Sequence, residues 1–260
     1  MTHYSSQFHP PAVRLARCCA MGVLALAALG TPDAQAAAPR SMFPAPVYVT
    51  LQASNAVKSM PGGYTAAGVP GAHYDAVDPR GKLMLVSSKD QPKAFLLDAG
   101  SGRQLASFEI GPTPQGVTIS PDGRWGLAVS AGNGTVALLD LRARKLVATI
   151  AVGKVPHNAR FSHDGKLAYV TLQGGTGVAV VDLRKRAKVR EIQVPGIRGP
   201  HNLDLSADGK TLWMRDLVGH VAALDIASGK ELAVIPVGLG HAGIDVIPGG
   251  RYVFTGAIAD

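Results

Sequence analysis

Between residues 114 and 153 the chain alternates four apolar runs of strand length with short turns rich in glycine, aspartate and asparagine. The runs cover residues 115–120, 125–130, 135–139 and 145–152 and are rich in Val, Leu, Ile and Thr. Runs of this length and composition favour strands over helices, and the Gly, Asn and Asp residues between them are typical of hairpin turns. The segment therefore predicts a four-stranded antiparallel meander.

The same pattern recurs along the chain. The Asp-Gly turn at 122–123 returns at 164–165 and 208–209, and in altered form at 80–81 and 249–250. Asp140, which closes the third run, has counterparts at Asp98, Asp182 and Asp225. A repeat of about 40 to 44 residues with four strands per unit is the sequence signature of β-propeller blades. The sequence predicts an all-β propeller whose blades must stack, because one sheet cannot bury both of its faces.

The markers divide residues 47–260 into about five to six blades. The repeats cover about 47–70 (partial), 72–112, 114–153, 156–196, 200–238 and 241–260 (partial). Residues 48–52 repeat the letters of 169–173, so the first piece begins at a second strand, whereas the last piece offers strands one and two. One interpretation of these two partial repeats is that they close a strained five-blade ring. The overlap of second strands favours the other, a longer ring truncated by one or two blades, and an open arc would promote self-association.

The first 36 residues resemble a secretory signal. Arg14 and Arg17 precede an apolar segment at 18–30, and Ala34-Gln35-Ala36 fits a cleavage site near Ala36. The apolar segment is short for a membrane span, so no transmembrane segment is expected after cleavage. Residues 37–46 form a lead-in, and both cysteines lie in the signal. We therefore expect a periplasmic or secreted protein without a disulfide or a Cys-based metal site.

The net charge of +8 favours anionic partners. The basic residues are spread over turns such as 142–145 and 184–186, with no interleaved aromatic residues. This distribution predicts a solvated blade rim rather than a nucleic-acid site. The expected partner is an envelope protein, a cell-wall polymer or a small ligand.

Histidine recurs at the start of the first strand of most blades. The set comprises His73, His157, His201 and His241, with Gln115 in the remaining blade. The first strand of a propeller blade is innermost, so these side chains are expected at one mouth of the channel, with His220 on the same surface at larger radius. Several imidazoles at one mouth could bind a transition metal or a haem. The alternative is a structural role, in which each imidazole bonds the neighbouring blade.

Other catalytic signatures are missing from the sequence. It has no G-x-S-x-G, H-E-x-x-H, P-loop or EF-hand motif, and no C-x-x-C-H for attaching a c-type haem. The repeated aspartates after the third strands are expected to cap their own turns. Only Asp75, Asp204 and Asp245, on the innermost strands, could supply carboxylates for a metal in the channel.

The letters Tyr-Val-Thr at 48–50 and 169–171, Ser-Pro-Asp-Gly at 120–123 and Val-Ala-Val-Val-Asp at 178–182 resemble the YVTN-repeat propellers. These secreted or surface proteins are often grouped with the haem d1-type propeller of cytochrome cd1 nitrite reductases, within the wider WD40/YVTN-like group. The resemblance covers residues 47–260 and implies the fold, usually with seven blades. Its motif residues form strands and turns, so it implies little about chemistry.

Three hypotheses about function follow. The first is a non-catalytic envelope propeller that acts as a binding or scaffold module, with no assured cofactor. The second is a metal- or haem-binding, oxidoreductase-related propeller that uses the histidine mouth. The third is a lactonase-type hydrolase that uses the channel carboxylates.

Overall fold

The computed structural model describes residues 46–61, 63–240 and 243–257, all within the unit formed by residues 41–260. The expected signal segment, nearly all of the lead-in and His241 lie outside these residues. The described chain is all-β apart from one short 3-10 turn at Gln52–Ser54. No helix in it has the length and apolarity needed to cross a membrane.

Each sheet is a run of consecutive antiparallel strands. The first sheet contains β1 (Val47–Leu51), β2 (Ala56–Met60) and β3 (Thr65–Ala67). The second contains β4 (Ala72–Val77), β5 (Leu83–Ser88), β6 (Lys93–Asp98) and β7 (Gln104–Glu109). The third contains β8 (Pro114–Ile119), β9 (Trp125–Ser130), β10 (Thr135–Asp140) and β11 (Lys145–Ala151).

The remaining sheets follow the same order. The fourth contains β12 (Pro156–Phe161), β13 (Leu167–Leu172), β14 (Gly177–Asp182) and β15 (Ala187–Gln193). The fifth contains β16 (Asn202–Leu205), β17 (Thr211–Arg215), β18 (His220–Asp225) and β19 (Glu231–Pro236). The last described sheet is a pair, β20 (Ile244–Val246) and β21 (Val253–Thr255).

The first strands of neighbouring sheets pack side by side. Strand β4 lies against β8, β8 against β12, β12 against β16, and β16 against β20. Innermost first strands that follow one another around an axis are the arrangement of propeller blades. The predicted all-β propeller is confirmed.

The N-terminal sheet starts at a second-strand position. Thr50 Oγ1 in β1 donates a hydrogen bond to the carbonyl oxygen of His73 at 3.0 Å. Thr171 Oγ1 in β13, the second strand of its blade, donates in the same way to the carbonyl oxygen of His201 at 2.9 Å. The two contacts are equivalent, so β1 corresponds to strand two of a blade, as the repeated letters predicted.

Apolar layers between the blades form the core. One cluster joins the third and fourth blades through Leu127, Leu138, Val170 and Ala179, all nearly or fully buried. A second cluster joins the fourth and fifth blades, around Ile197, Leu203 and Met214. Burying one such large side chain contributes about 1.5–3 kcal/mol. Small alanines between larger residues allow the sheets to stack closely.

The aspartates that end the third strands cap the following turns, as expected. Their Oδ1 atoms accept backbone N–H groups three residues on, at 2.8–2.9 Å. The four are Asp98, Asp140, Asp182 and Asp225. They are structural groups, which removes them from the candidate catalytic carboxylates.

Candidate functional site

The five innermost strands β4, β8, β12, β16 and β20 meet around a cavity of about 180 Å³, which we call the channel cavity. Each first strand, or the residue just before it, contributes to the lining. The lining residues are Tyr74, Asp75, Val117, Asn158, Arg160, Asn202, Gly243, Ile244 and Asp245. Because every described blade with a first strand contributes to it, the cavity lies on the channel axis.

A belt of neutral polar side chains connects three blades across the channel. Asn158 Nδ2 donates to Asn202 Oδ1 at 2.5 Å, and the Tyr74 hydroxyl donates to the same oxygen at 3.4 Å. Asn158 Oδ1 accepts the backbone N–H of Ala159 at 2.8 Å and Arg160 Nη1 at 3.3 Å. Because the side-chain amide nitrogen and oxygen of Asn158 are both hydrogen-bonded in a buried position, the belt holds a defined geometry.

The charged groups of the cavity are unevenly paired. Arg160 Nε lies 3.6 Å from Asp204 Oδ1, and Asp204 Oδ2 accepts the backbone N–H of Val246 at 2.8 Å. Burial raises the pKa of Asp75 to about 6. Burial also raises the pKa of Asp245, against the opposing effect of Arg160. One arginine therefore faces three carboxylates, and Asp75 has no hydrogen bond or ion pair to any described residue.

The histidines of the repeat position lie beside this belt. The rings of His157 and His201 are stacked, with centroids 3.6 Å apart, and the Tyr74 ring meets His157 edge-on at 5.7 Å. His73 contacts Tyr74 edge-on at 4.6 Å. The structure thus brings His157 and His201 together and places His73 on the other side of Tyr74.

Each of these imidazoles also bonds a neighbouring blade. His157 Nδ1–H donates to the carbonyl oxygen of His201 at 3.1 Å, and Gln173 Nε2–H donates to His201 Nδ1 at 2.8 Å. His73 Nε2–H donates to Gln115 Oε1 at 3.3 Å. These contacts hold one blade to the next, which is what the structural hypothesis for the histidines expects.

His220 is the first residue of β18, the third strand of its blade. Its Nδ1 is 3.1 Å from Asp216 Oδ2, and Asp216 is fully buried. Burial alone would raise the pKa of Asp216, but the backbone N–H groups of His220 and Arg198 hold it below the ordinary value. His220 therefore belongs to a loop anchor, while His241 lies outside the described residues.

Arg215 is a buried cation close to the histidines. It is fully buried, and its backbone oxygen accepts the N–H of His201 at 2.7 Å. Its Nη2 donates to the carbonyl oxygens of Gly238 and Gly240, while Nε and Nη1 have no hydrogen-bond partner among the described residues. Arg215 occupies the register position of Thr171, and its longer side chain reaches the segment that leads to β20.

The arrangement of His, Asp and Glu side chains bears on a metal site at the channel mouth. Among residues 46–61, 63–240 and 243–257, no three His, Cys, Asp or Glu side chains are grouped closely enough to hold a metal ion. The two stacked imidazoles, His157 and His201, have their Nδ1 atoms engaged in blade-to-blade bonds.

Sequence reasoning identified the histidines and the three aspartates but missed Tyr74, Arg160 and Arg215. The repeat contains the signal that would have found them. Tyr74 replaces the Asn that follows His157 and His201, and Arg215 replaces the Thr171 of the second strand. The polar and charged side chains of the channel therefore include residues that differ from the repeat pattern of the inner strands.

Comparison with known proteins supports the fold. No protein-family model and no curated protein matches the chain. The structure resembles hydrazine synthase from Kuenenia stuttgartiensis, with a TM-score of 0.65 and 25% identity over 75% of this chain. It also resembles a functionally unknown protein from Desulfotomaculum acetoxidans, with a TM-score of 0.69 and 14% identity over 81% of this chain and 72% of the other. This chain covers only 58% of the hydrazine synthase chain.

Proposed function

We propose that this protein is a periplasmic or secreted YVTN-type propeller that acts as a non-catalytic binding module, and that the channel cavity binds a small cationic ligand. The observation that carries the proposal is Asp75, a carboxylate at the cavity without a described partner and with its pKa raised to about 6. The signal-like residues 1–36 support the envelope location.

The charge balance of the cavity favours a cation. Arg160 is paired with Asp204, which leaves Asp75 and Asp245 as the carboxylates with raised pKa values. A bound ammonium group would relieve the cost of keeping these carboxylates ionised away from water. Tyr74 and the asparagine belt would supply hydrogen-bond acceptors that orient the ligand.

The size of the cavity limits the ligand to a small molecule. Its volume of about 180 Å³ is below the roughly 300–1,000 Å³ of pockets that bind drug-sized ligands. A short aliphatic diamine meets both conditions, because its two ammonium groups would face the two carboxylates. Its diol analogue has nearly the same shape and no charge, so the pair separates charge recognition from shape.

Isothermal titration calorimetry with 1,4-diaminobutane and 1,4-butanediol tests the proposal. We expect the diamine to bind and the diol to bind at least about tenfold more weakly, a difference of about 1.4 kcal/mol. Asp75→Asn should reduce this difference, because only Asp245 then remains to pair with an ammonium group. Asp164→Asn, in a surface turn, is the control and should bind like the parent protein. Equal binding of the two probes, or an unchanged Asp75→Asn, would reject a cation site.

A second candidate function is a lactonase-type hydrolase, which the position of the acids favours. Asp75 and Asp245 line one cavity. The Asp204 carboxylate accepts the backbone N–H of Val246, the residue that follows Asp245. Turnover of simple lactones that is abolished in Asp204→Asn would favour this activity over the binding module.

The metal- or haem-binding hypothesis is tested separately. Elemental analysis for iron, copper and zinc should be made on protein purified without chelators or an affinity tag. Near-stoichiometric metal that falls in both His157→Ala and His201→Ala would establish the histidine mouth as a metal site. Metal-free, folded protein would leave the imidazoles as contacts between blades.

A further inference from the structure

The turns between strands one and two, and between strands three and four, lie at one edge of every blade, and we call this edge the turn face. It carries a cation at or next to the same repeat position in five successive sheets. Each cation stands just before the second strand and is exposed. The five are Lys82, Arg124, Lys166, Lys210 and Arg251.

The carboxylates of the turn face are directed into their own turns. A serine hydroxyl and turn N–H groups lower the pKa values of Asp98, Asp164, Asp208 and Asp225, that of Asp164 to about 2. These aspartates therefore stay ionised while being engaged by their own backbone. Two of the cations are also paired at the surface, Lys166 with Asp164 at 3.1 Å and Arg124 with Asp140 at 3.6 Å. Exposed ion pairs of this kind contribute little free energy, so an external anion can replace them.

Two neighbouring turns between strands three and four concentrate the positive charge. They form a basic cluster of exposed side chains that have no hydrogen bond or ion pair within the described parts of the chain. The cluster comprises Arg142, Arg144, Lys145, Arg184, Lys185 and Arg186. Unpaired cations with extended side chains are available to an external anion.

Two of these arginines occupy backbone positions that favour glycine. Arg144 and Arg186 both have φ of 54°, in the left-handed region. The equivalent residues of two other blades are Gly102 and Gly229, with φ of 73° and 75°. A residue with a side chain is strained in this region relative to glycine. Turn formation alone does not require arginine at these positions, which supports a role for the charge.

A groove separates the turns of the third and fourth blades. It has a volume of about 580 Å³ and is lined by Trp125, Lys166, Asp182, Leu183 and Arg184, together with Gly165. A second cleft of about 340 Å³ shares Trp125 and Gly165 with it. Arg124 lies over the Trp125 ring at 4.5 Å. The basic cluster therefore borders an extended groove that contains an indole.

We propose that the turn face binds an acidic polysaccharide along this groove. Carboxylates of the polymer would pair with Lys166 and with the basic cluster, of which Arg184 lines the groove. The apolar surfaces of Trp125 and Leu183 would contact sugar C–H groups, and Asp182 would accept a sugar hydroxyl. This surface is separate from the channel cavity and does not depend on the ligand proposed there.

The composition of the groove favours a polysaccharide over other polyanions. A sugar offers hydroxyl donors that the Asp182 carboxylate can accept, whereas the phosphodiester groups of a nucleic acid have no donor. Single-stranded nucleic acid is bound on several aromatic platforms, and this groove has one. A flat anionic membrane could contact the exposed cations but could not enter the groove.

The test uses purified polygalacturonate oligomers, with neutral dextran, duplex DNA and phosphatidylglycerol vesicles as comparators, at several salt concentrations. The turn-face variant combines Lys166→Gln, Arg142→Gln and Arg184→Gln. The matched control removes three exposed cations from loops at the opposite edge, through Lys89→Gln, Lys154→Gln and Arg198→Gln. We expect at least tenfold weaker polygalacturonate binding for the turn-face variant, a much smaller loss for the control, and binding by the parent protein that weakens with salt.

A fluorescence measurement places the ligand in the groove. The chain has two tryptophans, so Trp213→Phe leaves Trp125 as the sole indole. Polygalacturonate should change the Trp125 emission in this variant. Equal loss of binding in the two triple variants, or no change in Trp125 emission, would overturn the proposal that the groove is the binding site. Tighter binding of DNA or vesicles than of polygalacturonate would overturn the choice of partner.

Discussion

Asp75 occupies a register position that is apolar in the next three innermost strands. Its counterparts, each paired with the equivalent residue of the second strand, are Val117, Ala159 and Leu203. A carboxylate among such neighbours loses hydration and gains no described partner, so the folded protein favours its protonated form. A single residue of one repeat therefore gives the channel an acid that the repeat pattern does not require.

This pKa predicts how stability depends on pH. Because burial raises the pKa of Asp75 to about 6, the folded state binds more protons than the unfolded state between about pH 4 and 6. The contribution of Asp75 to stability is therefore most favourable below pH 4 and falls as pH rises through 6. We expect Asp75→Asn to be more stable than the parent at pH 8 by about 1–3 kcal/mol, in urea unfolding followed by circular dichroism.

The control for this prediction has the opposite sign. The Ser162 hydroxyl and the Lys166 N–H lower the pKa of Asp164 to about 2, so its contribution is present at neutral pH and is lost as pH falls towards 2. Asp164→Asn should leave the decline in stability between pH 4 and 6 unchanged. If Asp75→Asn retains that decline, Asp75 is not its source.

Thr171 provides a second prediction about one residue. Its hydroxyl donates to the carbonyl oxygen of His201 and accepts the N–H of Asn158 at 3.0 Å, and the side chain is fully buried. Thr171→Val keeps the shape and leaves these groups without their partner, which should cost about 1–3 kcal/mol of unfolding free energy. The exposed strand variant Thr149→Val should change stability by less than about 0.5 kcal/mol. A neutral Thr171→Val would mean that the hydroxyl is dispensable between blades.

Strands and turns were the part of the molecule most accessible from sequence. The runs between residues 114 and 153 predicted β8 to β11 to within about one residue at each end, because turn chemistry and apolar length agree there. The short β3 lies in a glycine-rich stretch without such a pattern, and the two described strands of the last repeat, β20 and β21, have only three residues each. The pairing of Arg160 with Asp204 could not be predicted, since it depends on how neighbouring blades face each other.

The turns between strands three and four allow a prediction that separates stability from function. Replacing Arg144 and Arg186 by glycine relieves two positive φ angles, so the double variant should be as stable as the parent or up to about 1 kcal/mol more stable. The same variant should bind polygalacturonate several-fold more weakly. Arg144→Lys with Arg186→Lys keeps both the charge and the strain, and should retain most of the binding. Unchanged binding in the glycine variant would exclude these two arginines from the anion surface.

At the scale of the whole molecule, charge and apolar surface are unevenly distributed. The turn face carries the basic cluster, the channel carries more acids than bases, and the C-terminal edge exposes large apolar side chains. Leu232, Leu239, Tyr252 and Phe254 are each more than half exposed. In the middle blades the equivalent layers are covered by the next sheet, as the buried clusters between blades show. The described edge near β19 and β21 therefore has the character of an interior surface.

Such an edge should associate with a second copy of the chain. Exposed apolar patches and open strand edges pair with similar surfaces in solution. We expect sedimentation velocity at increasing protein concentration to show self-association that Leu239→Ser with Phe254→Ser reduces. The control Val189→Ser, at an exposed apolar residue of an outer strand in a middle blade, should associate like the parent. Raising the salt concentration should strengthen an apolar contact between two basic molecules, because it screens their repulsion. A monomer at all concentrations, or association that Val189→Ser abolishes as well, would place the contact elsewhere.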